Sequence, residues 1–162
     1  MLRKFALLAL VAGVVAILVP SGASSATGAC ALKGTANITP GLTTAKKSFS
    51  FTFSGNLSSC NGTGSAKKAT LSASGTGSGT CANTKGNGTS TVRWNTGQTS
   101  SISFTFTGVG NAVLVQGKVT SGLFAGQAVK APIAFTSAKP SPAACASTGI
   151  TQLAFQGATA LS

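Results

Sequence analysis

Four cysteines and twelve lysines and arginines are the side chains of this chain that could form covalent links or carry charge. The 162 residues include no aspartate, glutamate, histidine or tyrosine. Glycoside hydrolysis normally needs two carboxylates, and a hydrolytic triad needs a histidine or an equivalent base. A serine–lysine pair is chemically conceivable, but the sequence sets no serine or lysine apart from the others. We therefore predict that the protein is not an enzyme.

The same composition disfavours metal and cofactor sites. Calcium and magnesium prefer carboxylate oxygens, and zinc prefers cysteine and histidine. The cysteines lack the close paired spacing of zinc ligands, since they stand at Cys30, Cys60, Cys81 and Cys145. We predict no metal and no cofactor, and we expect the four cysteines to form two disulfides.

Residues 1–26 have the features of a secretory signal peptide. Two basic residues precede an uninterrupted apolar stretch at 5–19, and small residues precede a cleavage position after Ala26. Cleavage after Ala23 is an alternative. The apolar stretch is shorter than the ~20 residues that span a bilayer, which disfavours a membrane anchor. We predict a secreted protein, extracellular or associated with the cell envelope, whose mature residues 27–162 form a single all-β domain without a transmembrane segment.

Strict alternation of apolar and hydroxyl residues predicts two strands, at 48–55 and 101–108. Phe49, Phe51 and Phe53 line one face of the first strand, because successive side chains of a strand point to opposite faces. Similar patterns predict eight strands in all, at residues 30–39, 48–55, 66–75, 89–95, 100–108, 112–120, 127–136 and 149–157.

Glycine and proline separate or modify these strands. The stretch 75–79 is rich in glycine, and we interpret it as a turn that serves as a flexible connection or a sheet edge. Pro132 is expected at a sheet edge or a bulge, because proline cannot donate a hydrogen bond to a neighbouring strand. Loops are predicted at 56–65 and 137–148, each containing one cysteine. No mature segment has a helical period, so almost no helix is expected.

Short connections between consecutive strands predict hairpins, and strands joined in this way form an antiparallel meander. A long meander closes on itself or folds into two layers, which removes exposed edges. We therefore predict an all-β fold of about eight strands in a flattened barrel or barrel-like sandwich. An immunoglobulin-like Greek-key sandwich is the alternative.

The meander also predicts which cysteines pair. Successive strands run in opposite directions, so their connections alternate between the two ends of the sheet. Cys30 and Cys60 then lie at one end, and Cys81 and Cys145 lie at the other. Because the α-carbons of a disulfide lie within ~7 Å of each other, we predict the links Cys30–Cys60 and Cys81–Cys145. A Greek-key order of strands would remove the basis of this prediction.

The basic residues have no acidic side chain to oppose them. Such a set either attracts polyanions, such as wall polymers, anionic lipid headgroups or nucleic acid, or keeps the surface soluble. Possible polyanion contacts are the lysines expected near strand ends: Lys46, Lys47, Lys67, Lys68, Lys85 and Lys139. Specific nucleic-acid recognition is not expected, because no aromatic residues are interleaved with the basic ones to stack on bases.

These features favour a secreted, non-enzymatic β-domain that binds, or is part of, extracellular or cell-envelope structures. One alternative is a carrier of a small apolar ligand inside the barrel, and another is a cationic toxin-like or inhibitor protein. We expect the aromatic residues to fill the interior and to leave little room for a ligand; they are Phe49, Phe51, Phe53, Trp94, Phe104 and Phe106.

Several short motifs carry a resemblance to a group of exported proteins. They are Cys30, Gly34-Thr35, residues 38–42, Cys60, Thr80-Cys81, Val92-Arg93-Trp94 with Gly97, residues 117–122 with Phe124 and Gly126, and Cys145. With these features the chain resembles small secreted actinobacterial β-proteins that have four cysteines, a Gly/Ser/Thr-rich composition and no assigned function. The resemblance implies export across a single membrane. It implies no activity and no site residues.

Overall fold

The described part of the chain is a closed barrel of eight antiparallel strands. The computed structural model describes residues 27–136 and 142–162. Its elements are β1 (Gly28–Leu42), β2 (Lys47–Asn61), β3 (Ala69–Gly79), β4 (Asn83–Trp94), β5 (Thr99–Val109), β6 (Ala112–Gly122), β7 (Ala128–Phe135), α1 (Pro142–Ala146) and β8 (Ile150–Leu161). Each strand pairs with the next, and β8 pairs with β1, which closes the sheet. The predicted meander is confirmed, and the Greek-key alternative is wrong.

Two predictions concern residues outside this description. The predicted signal peptide, residues 1–26, and Lys139 both lie outside the described residues. Among the residues that are described, no helix has the length and apolar character needed to cross a bilayer.

The barrel has two ends, which we name for use below. The lower end holds the connections 62–68, 95–98 and 123–127, and the upper end holds the connections 43–46, 80–82 and 110–111 together with α1. Cys30 and Cys60 are linked near the lower end, with α-carbons 4.1 Å apart. Cys81 and Cys145 are linked at the upper end, with α-carbons 6.2 Å apart. Both predicted disulfides are confirmed.

Alternation decides which side chains face the interior. Leu32 and Ile38 of β1 and Phe49 of β2 are buried inside the barrel, while the intervening serine, threonine and lysine residues face outward. Apolar burial and backbone ladders therefore stabilise the fold, since no acidic side chain exists to form an ion pair.

The glycine-rich stretch at 75–79 is not a turn, contrary to our interpretation. It forms the second half of β3 and pairs in register with both neighbouring strands. Gly75 lies opposite Gly88 of β4, and Gly77 lies opposite Gly86. Rings of Phe51 and Phe49 from β2 occupy the space that Cβ atoms at Gly75 and Gly77 would need, so these strand positions require glycine.

Two smaller expectations also need correction. Cys60 lies within β2 rather than in a loop, because β2 continues to Asn61. Pro132 lies in a closed barrel and pairs with Leu114, so it is at neither an edge nor a register shift. It sits instead in a gap of the β7–β8 ladder between Lys130 and Ile133, where its missing N–H leaves no unsatisfied donor.

The register of β8 shifts near its start. Alternation alone predicts that Thr151 shares the inward face of Leu153 and Phe155, but Thr151 is exposed and Ile150 is buried in its place. The shift lies between the pairs Asn37–Gln152 and Leu42–Ile150, so alternation within β8 breaks at this point.

Candidate functional site

Phenylalanine rings from β2 and β5 meet inside the barrel. The rings of Phe51 and Phe106 pack edge to face, with centroids 5.4 Å apart at 88°. Phe49 contacts Phe106 at 6.5 Å, and Phe51 contacts Phe104 at 6.3 Å. Because β3 and β4 lie between β2 and β5 in the sheet, these rings cover the part of the β3–β4 wall that carries inward-facing glycines.

Glycines on that wall set the position of the rings. A Cβ atom at Gly75 would lie 2.7 Å from Cζ of Phe51, which is too close for any side chain. A Cβ atom at Gly88 would lie 2.9 Å from Cζ of Phe104. The rings therefore lie against the β3–β4 wall and do not occupy the whole interior.

A cavity of about 180 Å³ lies inside the barrel. Phe51 and Phe104 are half-buried although they point inward, because part of each ring faces this cavity. Aliphatic side chains complete the lining from β6 and β7: Val113, Val115, Val129, Ala131 and Ile133. The residues expected to fill the interior do face inward, but the expectation that they leave little room is wrong.

The lower end of the barrel is closed by a hydrogen-bonded cluster. Trp94 is buried, and its Nε1 donates to Oγ of Ser100 at 2.9 Å. Ser100, only 2% exposed, donates in turn to the carbonyl of Leu123 at 2.6 Å. Phe124 packs edge to face on Trp94, with ring centroids 5.3 Å apart. We call Trp94, Ser100, Leu123 and Phe124 the lower plug.

The cavity lining extends to the connections of the upper end. Ala82, between β3 and β4, and Gly110, between β5 and β6, both line it, and the N–H of Gly110 donates to the carbonyl of Ala82 at 2.8 Å. Cys81 also lines the cavity and ties this end to Cys145 of α1. Access from solvent is therefore expected at the upper end, opposite the lower plug.

Polar groups are rare in the lining. Asn83 and Thr84 lie at the upper end, Ser90 lies in the middle of β4, and Thr159 lies on β8. No charged side chain lines the cavity within the described chain. Sequence reasoning missed Ser90, although a signal existed: Ser90 shares its parity with the apolar residues of its strand.

None of the described lysines lines the cavity. Lys46 ends the 43–46 connection, Lys47 begins β2 and Lys85 lies near the start of β4, all towards the upper end. Lys67 and Lys68 lie in the 62–68 connection at the lower end. The structure thus divides the five described candidates for polyanion contact between two ends and does not bring them together in one patch.

The cavity can bury an apolar ligand, but its lining has almost no chemically reactive groups. Its lining contains no group that titrates near neutral pH, since Cys81 is held in a disulfide. No group of histidine, cysteine and acidic residues that could hold a metal ion occurs among residues 27–136 and 142–162. An uncharged apolar molecule is the kind of ligand that such a lining stabilises.

Comparison of the chain with protein-family models, with curated proteins and with solved structures finds no match in any of the three.

Proposed function

We propose that the protein is an exported, non-enzymatic binding protein that carries a small uncharged apolar molecule inside its barrel. The observation that carries this proposal is the apolar cavity of about 180 Å³, closed by the lower plug and lined up to the upper connections. An engineered cavity of roughly 150 Å³ with an apolar lining binds benzene, so this volume is sufficient for a small ring.

The composition supports binding rather than catalysis. The chain has no carboxylate or imidazole side chain, which are the usual general acids and bases of enzymes. The two disulfides support export, because such links persist in oxidising compartments. The basic, apolar and small-residue order of residues 1–26 supports it independently.

The experiment for this proposal is a titration with toluene, a probe of suitable size without hydrogen-bonding groups. Binding to the folded state alone raises the unfolding free energy by about 1.4 kcal/mol at a ligand concentration ten times Kd. We expect toluene to raise the melting temperature and to give a saturable heat of binding.

A cavity-filling variant provides the matched comparison. Val115 lines the cavity, and Val115→Phe should reduce toluene affinity at least about tenfold by occupying that space. Its neighbour Gln116 faces outward, so Gln116→Ala should bind toluene like the unmodified protein. Absence of toluene binding to the unmodified protein would refute the proposal, as would equal binding to Val115→Phe.

A second candidate function is attachment to an anionic surface. Lys46, Lys47 and Lys85 lie towards the same end of the barrel as the expected access to the cavity. Lysines near a charged surface each contribute about 1 kcal/mol of attraction, which salt screens. Replacing the three lysines with glutamine should abolish sedimentation with anionic vesicles at low salt. The matched variant, Lys67→Gln with Lys68→Gln, should still sediment; if both variants behave alike, the upper end is not the contact.

A further inference from the structure

Ser90 has a buried hydroxyl group without a partner. The side chain is 8% exposed, and its Oγ atom accepts and donates no hydrogen bond to any described residue. The other two buried polar residues are both satisfied. Thr63 donates to the carbonyl of Ala66 at 2.7 Å, and Ser100 belongs to the lower plug. Ser90 is therefore the exception within the described chain.

The surroundings of Ser90 give it no structural reason to be polar. Ala73 of β3 and Ile102 of β5 lie directly opposite it on the two neighbouring strands. Gly88 and Val92 are the next inward positions along β4. A buried hydroxyl group among such neighbours destabilises a fold, and buried polar groups generally have partners. An alanine would fit this position without that cost.

Ser90 also lines the cavity. Its Oγ has almost no exposed surface in the present rotamer, and rotation about the Cα–Cβ bond offers the hydroxyl group two other staggered positions. A molecule inside the barrel can then supply the missing hydrogen-bond partner.

We infer that the ligand of this cavity is a small uncharged ring compound with one hydroxyl or carbonyl group, which hydrogen-bonds to Oγ of Ser90. This inference rests on the binding function proposed above. The polar group of the ligand then lies against the β4 wall, and its ring lies between the phenylalanines and the aliphatic residues of β6 and β7.

Size and charge define the ligand class. A volume of about 180 Å³ exceeds the roughly 150 Å³ that admits benzene, which leaves room for one or two small substituents on a ring. A carboxylate or an ammonium group would be buried without a counter-charge, because no charged residue of the described chain lines the cavity. Aromatic rings at Phe51 and Phe104 favour an aromatic ligand through edge-to-face contacts. A phenol satisfies all of these conditions.

The experiment compares p-cresol with toluene, which differ by one hydroxyl group. Both are titrated calorimetrically into the unmodified protein, into Ser90→Ala and into Thr159→Val. Thr159 is the matched control, because it also lines the cavity with a hydroxyl-bearing side chain. We expect the ratio of p-cresol to toluene affinity to fall roughly five- to tenfold in Ser90→Ala and to stay constant in Thr159→Val. Toluene affinity itself should not fall in Ser90→Ala.

Each of the other possible results contradicts one specific part of the proposal. If toluene binds but the ratio is the same in Ser90→Ala, the role of Ser90 is wrong and the cavity function stands. If the ratio falls in Thr159→Val alone, the polar contact is at Thr159. If neither compound binds the unmodified protein, the proposed function fails and the inference fails with it.

A second measurement uses only the unmodified protein, so its result does not depend on whether a variant folds. A crystal of the unmodified protein soaked in p-cresol should show the phenolic oxygen within about 2.5–3.2 Å of Oγ of Ser90. A bound ring with its oxygen directed to the upper end, away from Ser90, would contradict the inference.

Discussion

The ring of Phe51 packs so closely over Gly75 that a Cβ atom at residue 75 would lie 2.7 Å from Cζ of the ring. This contact joins β2, the strand with the most phenylalanines, to the glycine-rich half of β3, which the sequence pattern predicts to be a turn. It also draws the ring towards the wall, which leaves the interior cavity beside it.

The first prediction concerns Gly75→Ala. The added methyl group would meet both Phe51 and the backbone carbonyl of Asn87, and a backbone atom cannot move aside easily. We expect a loss of about 1–3 kcal/mol in the unfolding free energy, measured by denaturant titration. The adjacent, outward-facing Ser74→Ala should change it by less than about 0.5 kcal/mol. Equal stability of the two variants would contradict the close packing.

The second prediction concerns the lower plug. Ser100→Ala removes the acceptor for Nε1 of Trp94 and the donor to the carbonyl of Leu123. Leaving a buried donor unsatisfied costs about 1–3 kcal/mol, so the melting temperature should fall and the fluorescence of Trp94 should change. Ser103→Ala, on the exposed face of the same strand, is the control and should alter neither signal.

The third prediction concerns the upper disulfide. Cys81 and Cys145 are separated by 64 residues, and a link across such a loop is worth roughly 4 kcal/mol in the chain-entropy relation. Replacing both cysteines with alanine should therefore lower the unfolding free energy by about that amount. The variant should also exchange the backbone amide protons of residues 80–82 faster, since Cys81 ties this connection to α1. A loss below about 1 kcal/mol would show that other contacts already fix the upper end.

The fourth prediction concerns pH. No aspartate, glutamate or histidine is present, and no described cysteine is free. No side chain therefore gains or loses a proton on folding between about pH 5 and about pH 7. The unfolding free energy should then be independent of pH in this range. Thermal melts across this range should coincide. A change equivalent to more than about 1 kcal/mol would require a titrating group that the sequence does not contain.

Alternation and strand parity predicted much of this fold. The regular patterns around Phe51 and Phe104 gave two strands and their inward faces, and the direction of successive strands gave both disulfides. These inferences succeeded because the period of a strand and the reversal at each hairpin are local properties of the chain.

The cavity could not be predicted in this way. The cavity exists because the ring of Phe51 packs against the β3–β4 wall. The ring can pack there only because residue 75, on a different strand, is glycine. Glycine weakens strands on average, so the stretch 75–79 was interpreted as a turn. Ser90 was detectable as a hydroxyl residue on the apolar parity of β4, but its missing partner is a property of the folded barrel alone.

The central claim is that the barrel admits a small apolar molecule, and crystals pressurised with xenon test it most directly. Xenon enters apolar cavities of roughly 150 Å³, so the volume found here should hold at least one atom. We predict a xenon peak inside the barrel, between Phe51 and Val115, that disappears in Val115→Phe. Side chains that fill the interior, with no xenon bound inside the barrel of the unmodified protein, would contradict the claim.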